Sequence, residues 1–124
     1  DFISIWETMT GWEKVTFCVA TPGGIIENSG QLPMGRPGHG MYKLMDKNFP
    51  LGGHLLLENI ASIWRVSKPV FNLESHSVQF FDGSGRPCFG VYLGRDATRA
   101  IIPSVKDGYR KLWTQYGGNK ETEQ

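Results

Sequence analysis

The 124-residue chain has few cysteines, no long hydrophobic run and almost no excess of one charge, and each shortage removes a class of protein. Only Cys18 and Cys88 are present, both in strand-forming stretches and without C-x-x-C spacing. A disulfide-framed module or a paired-cysteine metal site needs more, so the two read as buried free thiols. No stretch approaches the ~20 consecutive apolar residues that span a bilayer, and no charged-then-apolar segment opens the chain. A soluble, cytoplasmic domain with no membrane insertion is therefore expected. Lys and Arg number 13 against 12 Asp and Glu, and a net charge of +1 gives nucleic acid or an anionic membrane no long-range attraction. Serine nucleophile elbows and H-E-x-x-H zinc helices are also missing. The glycines at 83–85 and 35–40 do not lead from a strand into a helix as a phosphate loop requires. The length suits one domain, close to the size at which a second subunit often helps.

What is there alternates by secondary-structure period. Phe2, Ile5, Trp6 and Met9 fall at helical spacing over Asp1–Thr10, with Gly11 as the stop. Val15–Ala20 and Ile25–Glu27 flank a Thr-Pro-Gly-Gly turn and predict a hairpin. Gln31–Gly40 holds so many prolines and glycines that it reads as a surface loop. Met41–Leu44, Gly52–Leu57 and Ile60–Val66 predict three more strands, the last ended by Lys68-Pro69. Two β-rich runs between Ser75 and Asp96 surround Asp82-Gly83-Ser84-Gly85, and Pro103 then starts a helix carrying Val105, Tyr109, Leu112, Trp113 and Tyr116, closed by Gly117-Gly118. The sum is an α+β domain over 1–118: about seven antiparallel strands in an open or half barrel, a helix at each end, and a polar tail at 119–124.

Alternation in the Ser75–Phe81 run sets His76 on the same face as Val78 and Phe80, with Ser75, Ser77 and Gln79 opposite. A half-buried imidazole among apolar neighbours needs a partner: a backbone carbonyl, a carboxylate or a bound metal.

Four pieces stand together: Gly38-His39-Gly40-Met41-Tyr42, Gly52-Gly53-His54-Leu55, Glu58-Asn59-Ile60-Ala61-Ser62-Ile63-Trp64, and Ser77-Val78-Gln79-Phe80-Phe81 with Gly94-Arg95-Asp96. In order and spacing they resemble the bacterial intracellular haem-utilisation carriers of the ChuX/HutX type, over roughly Trp12 to Ile101. The resemblance implies an antiparallel sheet that pairs with a second copy into a saddle-like homodimer, a cytoplasmic location, and reversible haem binding for delivery to a haem-degrading partner. The family is related to larger two-repeat haem-degradation and storage proteins, of which this chain has one copy. The family's haem-ligating histidine in the G-G-H segment matches His54. Some members also carry a histidine where this chain has Ala20, a departure that leaves His76, His39 or an open position as the sixth ligand.

A haem carrier needs an axial nitrogen, an apolar slot and cations for two propionates. The residue types provide each. His54 follows two glycines that let the backbone approach a flat ring, although a turn histidine bonded to a carbonyl is the plainer alternative. His76 is the second metal candidate, against a simple hydrogen-bonded core role, and His39 lies in the glycine-rich loop, where exposure is the default. Arg36, Lys43, Arg65 and Arg95 are candidate propionate partners, with Arg95 equally suited to a turn ion pair with Asp96. Phe17, Trp64, Phe80, Phe89 and Tyr92 suit a porphyrin wall, yet aromatics at strand spacing are more often core. Two other functions compete with non-catalytic carriage: haem degradation, and a dimeric β domain for another flat apolar ligand.

Overall fold

In a computed structural model, which describes residues 1–70 and 72–116, the helical spacing at each end folds as expected. α1 (Phe2–Met9) buries Ile5, Trp6 and Met9, and α2 (Pro103–Gln115), with proline at its start, buries Val105, Tyr109, Leu112 and Trp113. The expected close at Gly117-Gly118 and the tail at 119–124 lie outside the described residues.

Between the helices run β1 (Val15–Thr21), β2 (Gly24–Gly30), β3 (Arg36–Gly38), β4 (Met41–Leu44), β5 (Gly53–Leu56), a 3-10 turn at Leu57–Asn59, β6 (Ser62–Val70), β7 (Leu73–Phe81) and β8 (Pro87–Leu93). They form two open antiparallel sheets. The larger has the order β2-β1-β8-β7-β6 and the smaller β3-β4-β5. Pairing of β1 with β8 sets the first and last strands side by side, with Phe17 opposite Val91.

Two local expectations are corrected. The 31–40 segment is not wholly loop: Arg36–Gly38 pairs with Met41–Lys43 around a two-residue turn in which His39 and Gly40 take φ of 55° and 75°. Positive φ at both central residues is the tight hairpin geometry whose twist matches the strands, so three residues beside a proline suffice to form β3. Nor does Lys68-Pro69 end β6, which continues to Val70 with Pro69 opposite Glu74. β6 is an edge strand, so the N–H that proline lacks would have faced no neighbour.

The core lies on one face of the larger sheet. Val15, Phe17, Val78, Phe80, Phe89, Val91 and Leu93 pack there against both helices and against Tyr42 and Leu44 of the smaller sheet. The Tyr109 hydroxyl donates to the carbonyl of Ser77 at 3.0 Å, fixing α2 to β7.

His76 does face that core, and its partners are a hydroxyl and a carboxylate. Nδ1 lies 2.7 Å from Ser67 Oγ on the paired strand, Nε2 lies 2.9 Å from Glu74 Oε2 off the N–H axis, and the ring leans on Tyr109. Glu74 also binds Lys106 of α2 at 3.0 Å. His76 first and Lys106 second hold the Glu74 carboxyl below the usual carboxylate range. A depressed carboxyl contributes stability that is present above its unfolded value, about 4.3, and lost as pH falls through the lower folded value. Glu74 is half exposed, so Glu74→Gln should cost under about 1 kcal/mol at neutral pH, and urea unfolding should show that difference fading in acid. A pH-independent difference would refute the ion-pair account.

Candidate functional site

The smaller sheet presents an outer face built by alternation. β4 turns Tyr42 and Leu44 into the core and Met41 and Lys43 outward. Register then fixes their neighbours: Lys43 pairs with Arg36 on one side and His54 on the other, and Met41 pairs with Leu56. Directly opposite residues share a face with Cβ atoms about 5 Å apart. Arg36, Lys43 and His54 therefore form a row across three strands. Exposed Leu56, Met34 and Met45 add apolar surface around them.

Members of this row line two separate hollows. One, of about 360 Å³, lies between the β5 side of the smaller sheet and the larger sheet, where Phe17, Val19, Leu51, Leu55, Ile60 and Phe89 make an apolar lining with His54 among them. Exposed His54 follows Gly53, whose φ of +137° suits glycine and above which no atom stands within 4 Å of an added Cβ. The other, of about 670 Å³, lies over the β3–β4 hairpin, where Arg36, His39, Lys43 and Asp46 stand between Met34 and Met45.

The structure thus brings His54 and His39 to one small sheet but to different hollows. His76 is under α2 on the larger sheet, both ring nitrogens beside partners. Arg95 forms no bond to Asp96; its guanidinium donates to the carbonyls of Arg99 and Glu74 and ties the loop after β8 to β7. Arg65 lies over the Tyr109 ring, 5.6 Å from its centroid. Among the expected aromatic walls, Phe17 and Phe89 line the apolar hollow and Phe80 is core, whereas Trp64 and Tyr92 lie on the opposite face of the larger sheet. Ala20 is on that opposite face too. The two cysteines are free, and burial, with Glu27 near Cys18 and Asp82 near Cys88, pushes both thiols up. Among the described residues no three His, Cys, Asp or Glu side chains gather as a metal site. The row of cations beside His54 escaped the sequence because only pairing of β3, β4 and β5 aligns residues 36, 43 and 54.

The site is thus an imidazole at the rim of an apolar hollow, with Lys43 and Arg36 in the same row across the strands. The chain belongs to the haem utilisation ChuX/HutX family, which matches residues 1–112. It is 37% identical over 113 residues to the intracellular heme transport protein HutX of Vibrio cholerae serotype O1, covering 91% of this chain and 58% of that protein. The chain thus spans somewhat over half the length of that curated relative. The crystal structure of ChuX superposes with a TM-score of 0.89 at 29% identity, over 94% of this chain and 72% of that one. At 20% identity the Escherichia coli O157:H7 heme degrading enzyme ChuS shares the fold, with a TM-score of 0.73 over 90% of this chain and 33% of the enzyme. No helix among the described residues is long and apolar enough to cross a membrane.

Proposed function

We propose that the chain is a non-catalytic intracellular haem carrier that holds haem reversibly at His54 and passes it to a haem-degrading partner. The observation that carries this reading is the exposed His54 imidazole at the rim of an apolar hollow, in a chain of the haem-utilisation family and 37% identical to a named haem transport protein. Neutral imidazole is an ordinary axial ligand for haem iron. An exposed ligand on a surface strand suits handing over a cargo, because the iron is reached and left without opening the core. For the sixth position His39 shares the sheet with His54, whereas His76 is engaged by Ser67 and Glu74. Arg95, committed to two carbonyls, positions the loop after β8. Homodimerisation belongs to the same reading and is supported by exposed Ile25 and Ile26 on edge strand β2 and Trp64 on edge strand β6, apolar surface that a second copy would cover.

Haemin titrated into the chain is expected to bind one per chain with a shifted Soret band, and His54→Ala to weaken binding at least about tenfold and alter that band, the effect of losing roughly 1.4 kcal/mol or more of ligation. A mutant spectrum and affinity identical to the parent's would remove His54 as ligand. With reductant, oxygen and catalase present, the Soret band should persist; its bleaching would make the protein an enzyme.

A further inference from the structure

Five cations elsewhere in the fold are tied to neighbouring groups, while exposed Lys47, Arg86 and Arg99 make no ion pair or side-chain hydrogen bond among the described residues. Lys106 is held by Glu74, Arg110 and Lys111 by Asp107, Lys14 by the Arg95 carbonyl, and Arg95 by two carbonyls. Arg36 and Lys43 make no ion pair and no side-chain hydrogen bond among the described residues, although register places them side by side. The Lys43 ammonium folds back over β3, 4.0 Å from where a Cβ on Gly38 would stand, so both cations lie over the β3–β4 hairpin. The hollow there is bounded by Met34 and Met45, 50% and 71% exposed, and includes one carboxylate, Asp46.

From this we infer that Arg36 and Lys43 form a carboxylate clamp that selects ligands with two acids on one edge of a flat ring and fixes which edge faces outward. The inference rests on the haem reading and deepens it, because haem carries its two propionates on one edge. Arginine offers a fork that binds a carboxylate through two parallel hydrogen bonds, and lysine a mobile point charge for the second acid. The methionine thioethers supply soft contact at the ring margin. With the acid edge over β3–β4 and the opposite edge in the apolar hollow under β5, His54 stands between them in the same row as the clamp. The cargo is thereby held in one orientation, and its charged edge stays at the surface where a receiving protein can meet it.

The test compares haemin with haemin dimethyl ester, whose propionates are neutral, on the full chain. The chain should favour the free acid by about tenfold or more, as expected for charge-assisted bonds at a partly exposed site, and the preference should shrink as salt rises. Arg36→Gln combined with Lys43→Gln should bring the ratio near one while leaving the Soret position, set by His54, unchanged. Arg86→Gln, at the far hairpin, should keep the parental ratio. A ratio unaltered in the double variant, or no preference in the parent, overturns the clamp. If neither compound shifts the Soret band in the parent, the haem reading itself has failed, which separates the two failures.

Discussion

Trp6→Ala is expected to destabilise the protein by about 3–5 kcal/mol, the cost of removing a large buried aromatic and leaving a cavity. Trp6 is fully buried on α1, and its rings lie between 5.9 and 6.4 Å from those of Phe2, Phe17, Tyr42 and Phe89. Those neighbours belong to α1 itself, to β1 and β8 of the larger sheet and to β4 of the smaller one. The indole Nε1 also donates to the carbonyl of Pro33 at 2.9 Å, a bond that anchors the segment leading into β3. Removing the side chain opens the junction of both sheets and leaves that buried carbonyl without its donor. Domains of this size are stable by only about 5–15 kcal/mol, so the variant should lose a large part of its folded margin. Urea unfolding measures it, with Trp64→Ala as the counterpart: Trp64 is 47% exposed and should cost far less. Equal costs at the two tryptophans would refute Trp6 as the bolt between the sheets. The consequence reaches the site, because Phe17 and Phe89 also wall the apolar hollow beside His54.

Gly94→Ala should cost about 3 kcal/mol or prevent folding, through overpacking against backbone. A Cβ at Gly94 would stand 2.3 Å from the Lys14 carbonyl oxygen, the atom to which the Gly94 N–H donates at 3.0 Å. Nothing there is the flexible end of a side chain. Gly94 also accepts from the Ile102 N–H, so its displacement would disturb the entry to β1, the exit of β8 and the approach to α2 together. Gly83→Ala provides the contrast, since no atom lies within 4 Å of its added Cβ. Thermal unfolding should find Gly83→Ala close to the parent and Gly94→Ala far below it. Similar midpoints for the two would show that the β1–β8 junction yields to the extra methyl.

Much of the architecture was legible wherever a pattern is local. Phe2, Ile5, Trp6 and Met9 announce a helix because each turn of chain sets its own apolar stripe, and Val105, Tyr109, Leu112 and Trp113 do the same. His76 was correctly set on the face of Val78 and Phe80 by alternation alone. The failures came where a neighbour decides. β3 was hidden in a breaker-rich segment because three residues make a strand only when β4 is there to receive them. Pro69 reads as a stop because nothing in the sequence reveals that β6 is an edge. The candidate site shows the same division. His54 stood out through its G-G-H setting and the family resemblance, but its cationic row and its apolar hollow came from residues between 17 and 89 that strand pairing assembles.

The sequence by itself determined the two helices and their buried faces, most of the strands, the alternation within them, and the family. Tertiary structure alone decided the division into two sheets, the meeting of β1 with β8, and the different surroundings of three histidines. The reason is that period and turn chemistry act over a few residues, whereas register joins positions far apart, and a slip of one residue would reverse every face. Ser67 reaches His76 because β6 and β7 pair as they do, and His54 stands beside Lys43 and Arg36 because β5, β4 and β3 pair as they do.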